Sequence, residues 1–343
     1  MEQHEITTAG PLLDKWGELR EPGYAKRLLP VYNKERIKTS MLRVKEWDYY
    51  CVMNGQFAFA LTIADNGYMG LDSISLIDFW ENTQVTKSPI RLMPMGGTGM
   101  PRSSLEGHCA SVGRNYSLLF RREEDRRTLT AHMDDFRNGE SLDANIELTD
   151  EPEESMVICT PFGKPGHFYF NQKINCLRAK GKVTVGEEEY MLDPADSFGV
   201  LDWGRGVWPY YNTWYWASAS GLVDGVPFGF NLGYGFGNTS AATENMLFYN
   251  GKGHKLSKVR FKIPGRKRRR RYMEQWEFTS DDGRFEMRFD PVINRSSCTS
   301  AGVVKSKQNQ VFGKFTGLAL LDDGTEIFIK DFLGFAEEVE NRW

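Results

Sequence analysis

No stretch of these 343 residues approaches the ~20 consecutive apolar positions that a membrane-spanning helix needs, so no membrane span is expected. The opening Met1-Glu2-Gln3-His4-Glu5 has no basic segment and no apolar one behind it. It therefore shows no secretory signal, and a cytoplasmic location is expected. Cysteine is sparse: five residues, an odd number, at positions 51, 109, 159, 176 and 298. That argues against a disulfide framework and predicts reduced thiols. Cys-x-x-Cys and His-Glu-x-x-His are absent and the five histidines are scattered, so no metal site is expected. No Gly-x-Gly-x-x-Gly opens a helix after a strand. The Gly-rich Met95-Gly96-Gly97-Thr98-Gly99 lacks the lysine and the following helical pattern of a phosphate loop, so no nucleotide cofactor is expected. Gly-x-Ser-x-Gly, the serine-hydrolase elbow, is missing as well. Excess positive charge is also lacking, with 43 Lys and Arg against 46 Asp and Glu, so no nucleic-acid partner is expected.

What the chain has in quantity is aromatic residues and glycine: 9 Trp, 14 Tyr and 22 Phe beside 34 Gly. Short apolar runs alternate with turn residues. Gln56 to Ile63 is followed by Asp65-Asn66-Gly67 and Tyr68 to Leu71, and the Asn-Gly step predicts a tight hairpin with both central residues at positive φ. Tyr116 to Arg122 turns at Glu123-Glu124-Asp125 and returns through Thr128 to His132. Thr213 to Ser220 meets Val226 to Tyr234 across Leu222-Val223-Asp224-Gly225. Gln275 to Thr279 meets Arg284 to Phe289, and Val311 to Leu321 meets Thr325 to Leu333. This spacing predicts an all-β protein of antiparallel sandwiches or barrels with few short helices. The helix candidates are Ser73 to Trp80 and the tail after Phe335. The acidic stretch Thr149 to Ser155 reads as a solvated connector and divides the chain into 1–155 and 156–343. The basic run Arg266 to Arg271 reads as a solvated hairpin loop, because no other basic cluster extends it.

Four Trp and three Tyr crowd the fourteen residues from Trp203 to Trp216. Within this segment Gly204 and Gly206 flank Arg205, which suggests a tight backbone path that fixes one guanidinium. The guanidinium is suited to clamp a carboxylate or phosphate. Asp202 is placed either to pair with Arg205 or to act as an acid or base. Trp208, Tyr210, Trp214 and Trp216 offer flat apolar walls for a ligand, although Trp214 and Trp216 at strand spacing also suit a plain core. In Lys45 to Tyr50, strand alternation puts Glu46, Asp48 and Tyr50 on one face and Trp47 and Tyr49 on the other. Asn231-Leu232-Gly233 and Thr243-Glu244-Asn245 place polar groups near a Gly-rich strand end. His167, after Pro165-Gly166, is a candidate base, although a lone histidine is more often structural.

These blocks carry a resemblance. Gly10 to Asp14, Gly23-Tyr24-Ala25, Lys45 to Tyr50, Asp202 to Tyr210, Asn231-Leu232-Gly233, Thr243-Glu244-Asn245 and the terminal Arg342-Trp343 resemble, in order, the largely bacterial family known as domain of unknown function 2804. The resemblance implies a distant lipocalin-like (calycin) relative of the carotenoid 1,2-hydratase-like proteins, with two β-barrel-like domains in one chain. It implies a fold and a cavity and transfers no catalytic residue. The expected function is binding of an apolar or amphipathic small molecule in an aromatic-lined barrel. Arg205 and Asp202 would be the polar anchor, and Trp208, Tyr210, Trp214, Trp216, Trp47, Tyr49, Asn231, Asn245 and His167 the lining. The alternative is a cofactor-free hydratase, cyclase or isomerase in which Asp202, Glu46 or Glu244 moves the proton.

Overall fold

Where the sequence offers Asp-Gly or Asn-Gly between β-rich runs, the backbone turns in two residues. Asp224 and Gly225 both have positive φ between Val223 and Val226, and Asn250 and Gly251 do the same between Tyr249 and Lys252. The Asn66-Gly67 turn is wider than expected: Asp65 pairs with Gly70, and only Gly67 has positive φ. The reason lies in Asp65, whose carboxylate accepts from Gly67 N and, through its other oxygen, from Gly96 N and the Thr98 hydroxyl. The glycine-rich loop thus wraps an internal carboxylate.

The computed structural model describes residues 3–267, 269–301 and 304–342. Among them there is no α-helix, only two single-turn 3-10 segments. Both segments read as helical are strands. Ser73 to Asp78 belongs to Met69–Asp78, paired on both sides, and the tail is part of Glu326–Arg342, seventeen residues long. Their apolar residues sit at alternate positions against a core, and that period of two overrides any helical preference. No helix among the described residues is long and apolar enough to cross a membrane.

Two large, curled antiparallel sheets make up most of the described residues, beside two small two-stranded ones. The central strands of the first run in the order Met69–Asp78, Phe57–Asp65, Val44–Met53, Phe198–Val207, Phe168–Val185, Glu140–Thr149 and Arg127–Arg137. The second is built around Val226–Tyr234, Tyr211–Val223, Glu326–Arg342, Val304–Leu320 and Phe285–Ala301. The chain crosses from one sheet to the other between Val207 and Tyr211. The strands flanking the acidic stretch 149–155 both belong to the first sheet. That stretch is pinned down by charge: Glu151 meets Arg127, while Glu153 and Glu154 reach Lys252 and Gly253 N of the second sheet.

Each sheet curls around its own core. Phe57, Phe120, Phe170, Leu201 and Trp203 fill the first, and Phe230, Trp276, Phe278, Phe289 and Phe315 the second. A third apolar layer lies between the sheets, with Tyr49, Cys51, Trp216, Phe312 and Phe335 at one end and Tyr169, Trp208, Phe236 and Met246 at the other. The aromatic residues singled out in the sequence are concentrated in this layer between the two barrel-like halves.

Candidate functional site between the sheets

The segment Asp202 to Val207 is not a turn but the end of a continuous strand, Phe198–Val207. In a strand, positions three apart face opposite ways, so Asp202 and Arg205 cannot pair. Arg205 points into the first core and is 0% exposed. Its guanidinium donates to Asp48 Oδ1 at 2.9 Å, to the Trp47 and Gly204 carbonyls, and from two nitrogens to the Pro101 carbonyl. It stacks on Trp203, 4.1 Å from the ring centre. Glu46, opposite Arg205 in register, accepts from Tyr32 Oη at 3.0 Å and from Lys34 Nζ. Glu46, Asp48 and Tyr50 share this face, as strand alternation predicts, and the charge on Arg205 is met by protein groups.

Asp202 lies on the other face, between the sheets. It forms an ion pair with Lys173 Nζ at 2.7 Å and accepts from Asn171 Nδ2 at 2.5 Å. Lys173, Asp202 and Tyr49 stand in one cross-strand row, and Asn171, Gly204 and Trp47 in the next. The glycine there serves the aromatic: a Cβ on Gly204 would come within 1.9 Å of Trp47 Cζ2. Trp47 lies nearly parallel to Tyr169 and meets Trp208 edge-on at 4.9 Å.

The second sheet answers with a row of its own. Gly233, Trp216, Glu337, Gln310 and Arg295 are in register across five strands. The Glu244 carboxylate occupies the space over Gly233, where a Cβ would be 2.3 Å from Oε1. Lys173 Nζ sits 4.2 Å from the centre of the Trp216 ring, so the lysine of the first sheet covers an aromatic face that was expected to meet substrate. Trp216 Nε1 donates to Asn231 Oδ1 at 2.7 Å, and Asn231 Nδ2 donates to the Glu244 carbonyl. Glu337 accepts from Trp214 Nε1 at 2.8 Å and from Gln308 Nε2 at 3.2 Å. Burial pushes the Glu337 and Glu244 carboxyls above the ordinary value for glutamate. Two protonation-prone carboxyls therefore share a layer with an ion-paired aspartate. Buried Asn171 Oδ1, Gln310 Oε1 and Trp208 Nε1 have no partner there.

Of the residues picked from the sequence, the structure gathers Asp202, Glu244, Trp47, Tyr49, Trp208, Trp214, Trp216 and Asn231 between the sheets. Arg205 and Glu46 face the first core instead. Tyr210 lies in the link between sheets, its ring edge-on to Tyr211 at 4.8 Å. Asn245 serves the backbone, accepting from Gly233 N and donating to the Ser257 carbonyl. His167 Nδ1 lies 3.0 Å from the Pro165 carbonyl in a turn. Lys173, Glu337, Gln310 and Arg295 escaped sequence reading, because a polar residue at every second strand position looks like a solvent face. Among the described residues no group of three or more His, Cys, Asp or Glu is placed to hold a metal ion.

The layer opens at one end into a cleft of about 630 Å³, lined by Phe162, Pro209, Tyr211, Asn212, Phe236, Lys305, Asn341 and Arg342 among others. Phe236 forms the inner wall and packs edge-on against Trp208 at 4.9 Å and Trp214 at 5.6 Å. Glu337 is thus one tryptophan behind the cleft.

The model of the family described as "Domain of unknown function (DUF2804)" matches residues 3–343. Comparison with curated proteins returns no match. Among solved structures, kievitone hydratase from Nectria haematococca is similar with a TM-score of 0.50 at 10% identity, over 97% of this chain and 98% of that one. CghA with Sch210972 is similar with a TM-score of 0.45 at 14% identity, over 98% and 97%. At 10% identity the first likeness shows the fold, a lipocalin-like arrangement of curled sheets.

Proposed function

The chain belongs to the DUF2804 family, and on that premise we propose that it admits an apolar or amphipathic small molecule to the cleft between its sheets and transfers protons to and from it without a cofactor, as a hydratase-type lyase or an isomerase. One observation carries this reading: Glu337 and Glu244, both pushed toward the protonated form by burial, share the inter-sheet layer with an Asp202 carboxylate already paired to Lys173. Two acid–base partners whose environments differ are what proton addition on one side and removal on the other require. Glu337 is the proton donor and Asp202 the acceptor. Trp214 orients the Glu337 carboxyl, and Lys173, lying over the Trp216 face, holds Asp202 by an ion pair. The name of kievitone hydratase agrees with this class of chemistry.

Binding without chemistry is the second reading. It is favoured by the hydrogen bonds that already occupy both oxygens of Glu337 and by Phe236 and Trp214 closing the layer from the cleft. The test is native mass spectrometry of the purified protein to identify a co-purified molecule, followed by turnover and binding of that molecule with Glu337→Gln and Asp202→Asn. Acid–base catalysis predicts at least a hundredfold loss of turnover with binding within about threefold, in line with the weight of one general acid or base. An unchanged molecule after prolonged incubation with the native protein leaves only the binding reading standing.

A further inference from the structure

We propose that the molecule taken into the cleft is an organic acid, whose anionic end docks at the rim between Lys305 and Arg342 and whose apolar body runs inward over Phe236. The proposal rests on the cleft being the substrate entrance, as above, and adds the substrate class.

Three cations and one carboxylate line the cleft: Lys305, Lys307, Arg342 and Glu340. Cross-strand register decides how they neutralise. Lys307 stands opposite Glu340, but Lys305 stands opposite Arg342, two like charges on neighbouring strands. Such a pair is unfavourable unless something negative lies between. Among the described residues no ion pair joins either of them; Arg342 has only the Tyr211 ring, at 5.2 Å. In a chain with a formal net charge of −3, this is a local excess of positive charge at the mouth of a concave site.

Asn341 is the second, independent observation. It lines the cleft beside these cations, its residue is only 3% exposed, and neither its side-chain oxygen nor its nitrogen has a partner. Asn212, opposite in register, also leaves its Oδ1 unpartnered. A buried amide with both ends open is costly unless a ligand or water completes it. A hydroxyl or carbonyl next to the anionic group of a ligand would do so. Asn341 and Asn212 share their strand face with Glu337 and Trp214, whereas Lys305 and Arg342, one position away along their strands, lie on the opposite face. The ligand therefore sits across the strand ends, where the cleft touches residues of both faces.

The volume, about 630 Å³, suits a small molecule with an apolar body. The anion contact expected of Arg205 is thereby assigned elsewhere: Arg205 is satisfied inside the first core by Asp48, while Lys305 and Arg342 remain open.

The test uses two fluorescent probes that share an aromatic body and differ in charge, 1-anilinonaphthalene-8-sulfonate and neutral N-phenyl-1-naphthylamine, titrated into the intact protein. The sulfonate probe is expected to bind at least tenfold more tightly. The double variant Lys305→Ala/Arg342→Ala is expected to lose that tenfold for the sulfonate and to bind the neutral probe within twofold of the parent. Asn341→Leu should weaken the sulfonate probe by a smaller factor, and Phe236→Ala should weaken both probes. Lys180→Ala, an exposed cation on the first sheet, should change nothing, and far-UV spectra establish that each variant keeps its strands. Equal affinity for the two probes, failure of either to bind, or an unchanged sulfonate affinity in the double variant overturns the proposal. Glu337→Gln should leave sulfonate binding within twofold. A catalytic reading that fails therefore shows as unaffected turnover of the natural molecule, while an anion site that fails shows in the probes.

Discussion

On one face of the Phe198–Val207 strand, the Arg205 guanidinium meets Asp48, three backbone carbonyls and the Trp203 ring. On the opposite face, Asp202 meets Lys173 and Asn171, and around it lie raised carboxyls and amide atoms without partners. The two regions are separated by the thickness of a single sheet and use similar residue types. The difference is closure. The first network is surrounded by its own sheet and supplies every donor nitrogen of the Arg205 guanidinium with a partner, leaving Trp203 Nε1 open beside it. The second is shared between two sheets that meet imperfectly, and it ends at an open cleft. A buried charge with every partner supplied holds structure together, whereas buried groups left short of partners are poised for a ligand.

The largest expected effect tests that contrast directly. Arg205→Ala strands the buried Asp48 and should cost about 3–5 kcal/mol in urea unfolding, the range for breaking a buried ion pair from one side. Asp202→Asn keeps the shape of the side chain and its bond to Asn171 and should cost about 2 kcal/mol, the scale of one charge-assisted hydrogen bond. Equal losses would erase the distinction between the faces.

Gly204→Ala sharpens it at the inter-sheet face. The new Cβ would drive into Trp47, so a cost of about 1–3 kcal/mol is expected, with a changed near-UV tryptophan signal. Gly55→Ala, which meets open space, should stay within about 0.5 kcal/mol.

Acid–base linkage tests the inter-sheet region, although burial also raises the Asp48 carboxyl in the first network. The Glu337 carboxyl is held above its ordinary value of 4.5 by burial, so the folded protein keeps a proton that the unfolded chain releases. That contribution is complete below the ordinary value and declines as pH rises toward the folded value. The stability of the parent relative to Glu337→Gln should therefore fall above pH 4.5, by at most about 1.4 kcal/mol per pH unit. A flat difference between pH 4 and pH 7, on the order of three units measured by urea unfolding, would refute the buried-acid assignment.

The smallest effect concerns the basic run, of which Arg268 lies outside the described residues. Neutralising Arg266, Lys267, Arg269 and Arg271 together should change stability by less than about 1 kcal/mol. Arg270 is different. It reaches the buried Glu338, which also accepts from the Tyr215 and Tyr272 hydroxyls. Arg270→Ala should cost more than the other four combined.

Much of the fold was legible because strands and turns are local. The Asp224-Gly225 and Asn250-Gly251 turns lie where their residue types put them, and Glu46, Asp48 and Tyr50 are divided from Trp47 and Tyr49 as alternation requires. The same rule, applied to Asp202 and Arg205, would have separated them; reading Gly204 and Gly206 as a tight backbone path hid that. Glycine in this strand makes room for the Trp47 ring, a neighbour that no local pattern reveals.

By itself the amino-acid order determined the all-β class, the hairpins and the concentration of tryptophan and tyrosine near Trp203 to Trp216, since each depends on residues close in the chain. Only the tertiary structure decided which charges share a site. Lys173 and Asp202 come from adjacent strands of one sheet, Glu244 from a loop and Glu337 from the last strand of the other. Their polar faces have the two-residue period of a solvent-exposed strand. Whether such a face meets water or a second sheet depends on how two sheets pack, and packing is set by the whole chain.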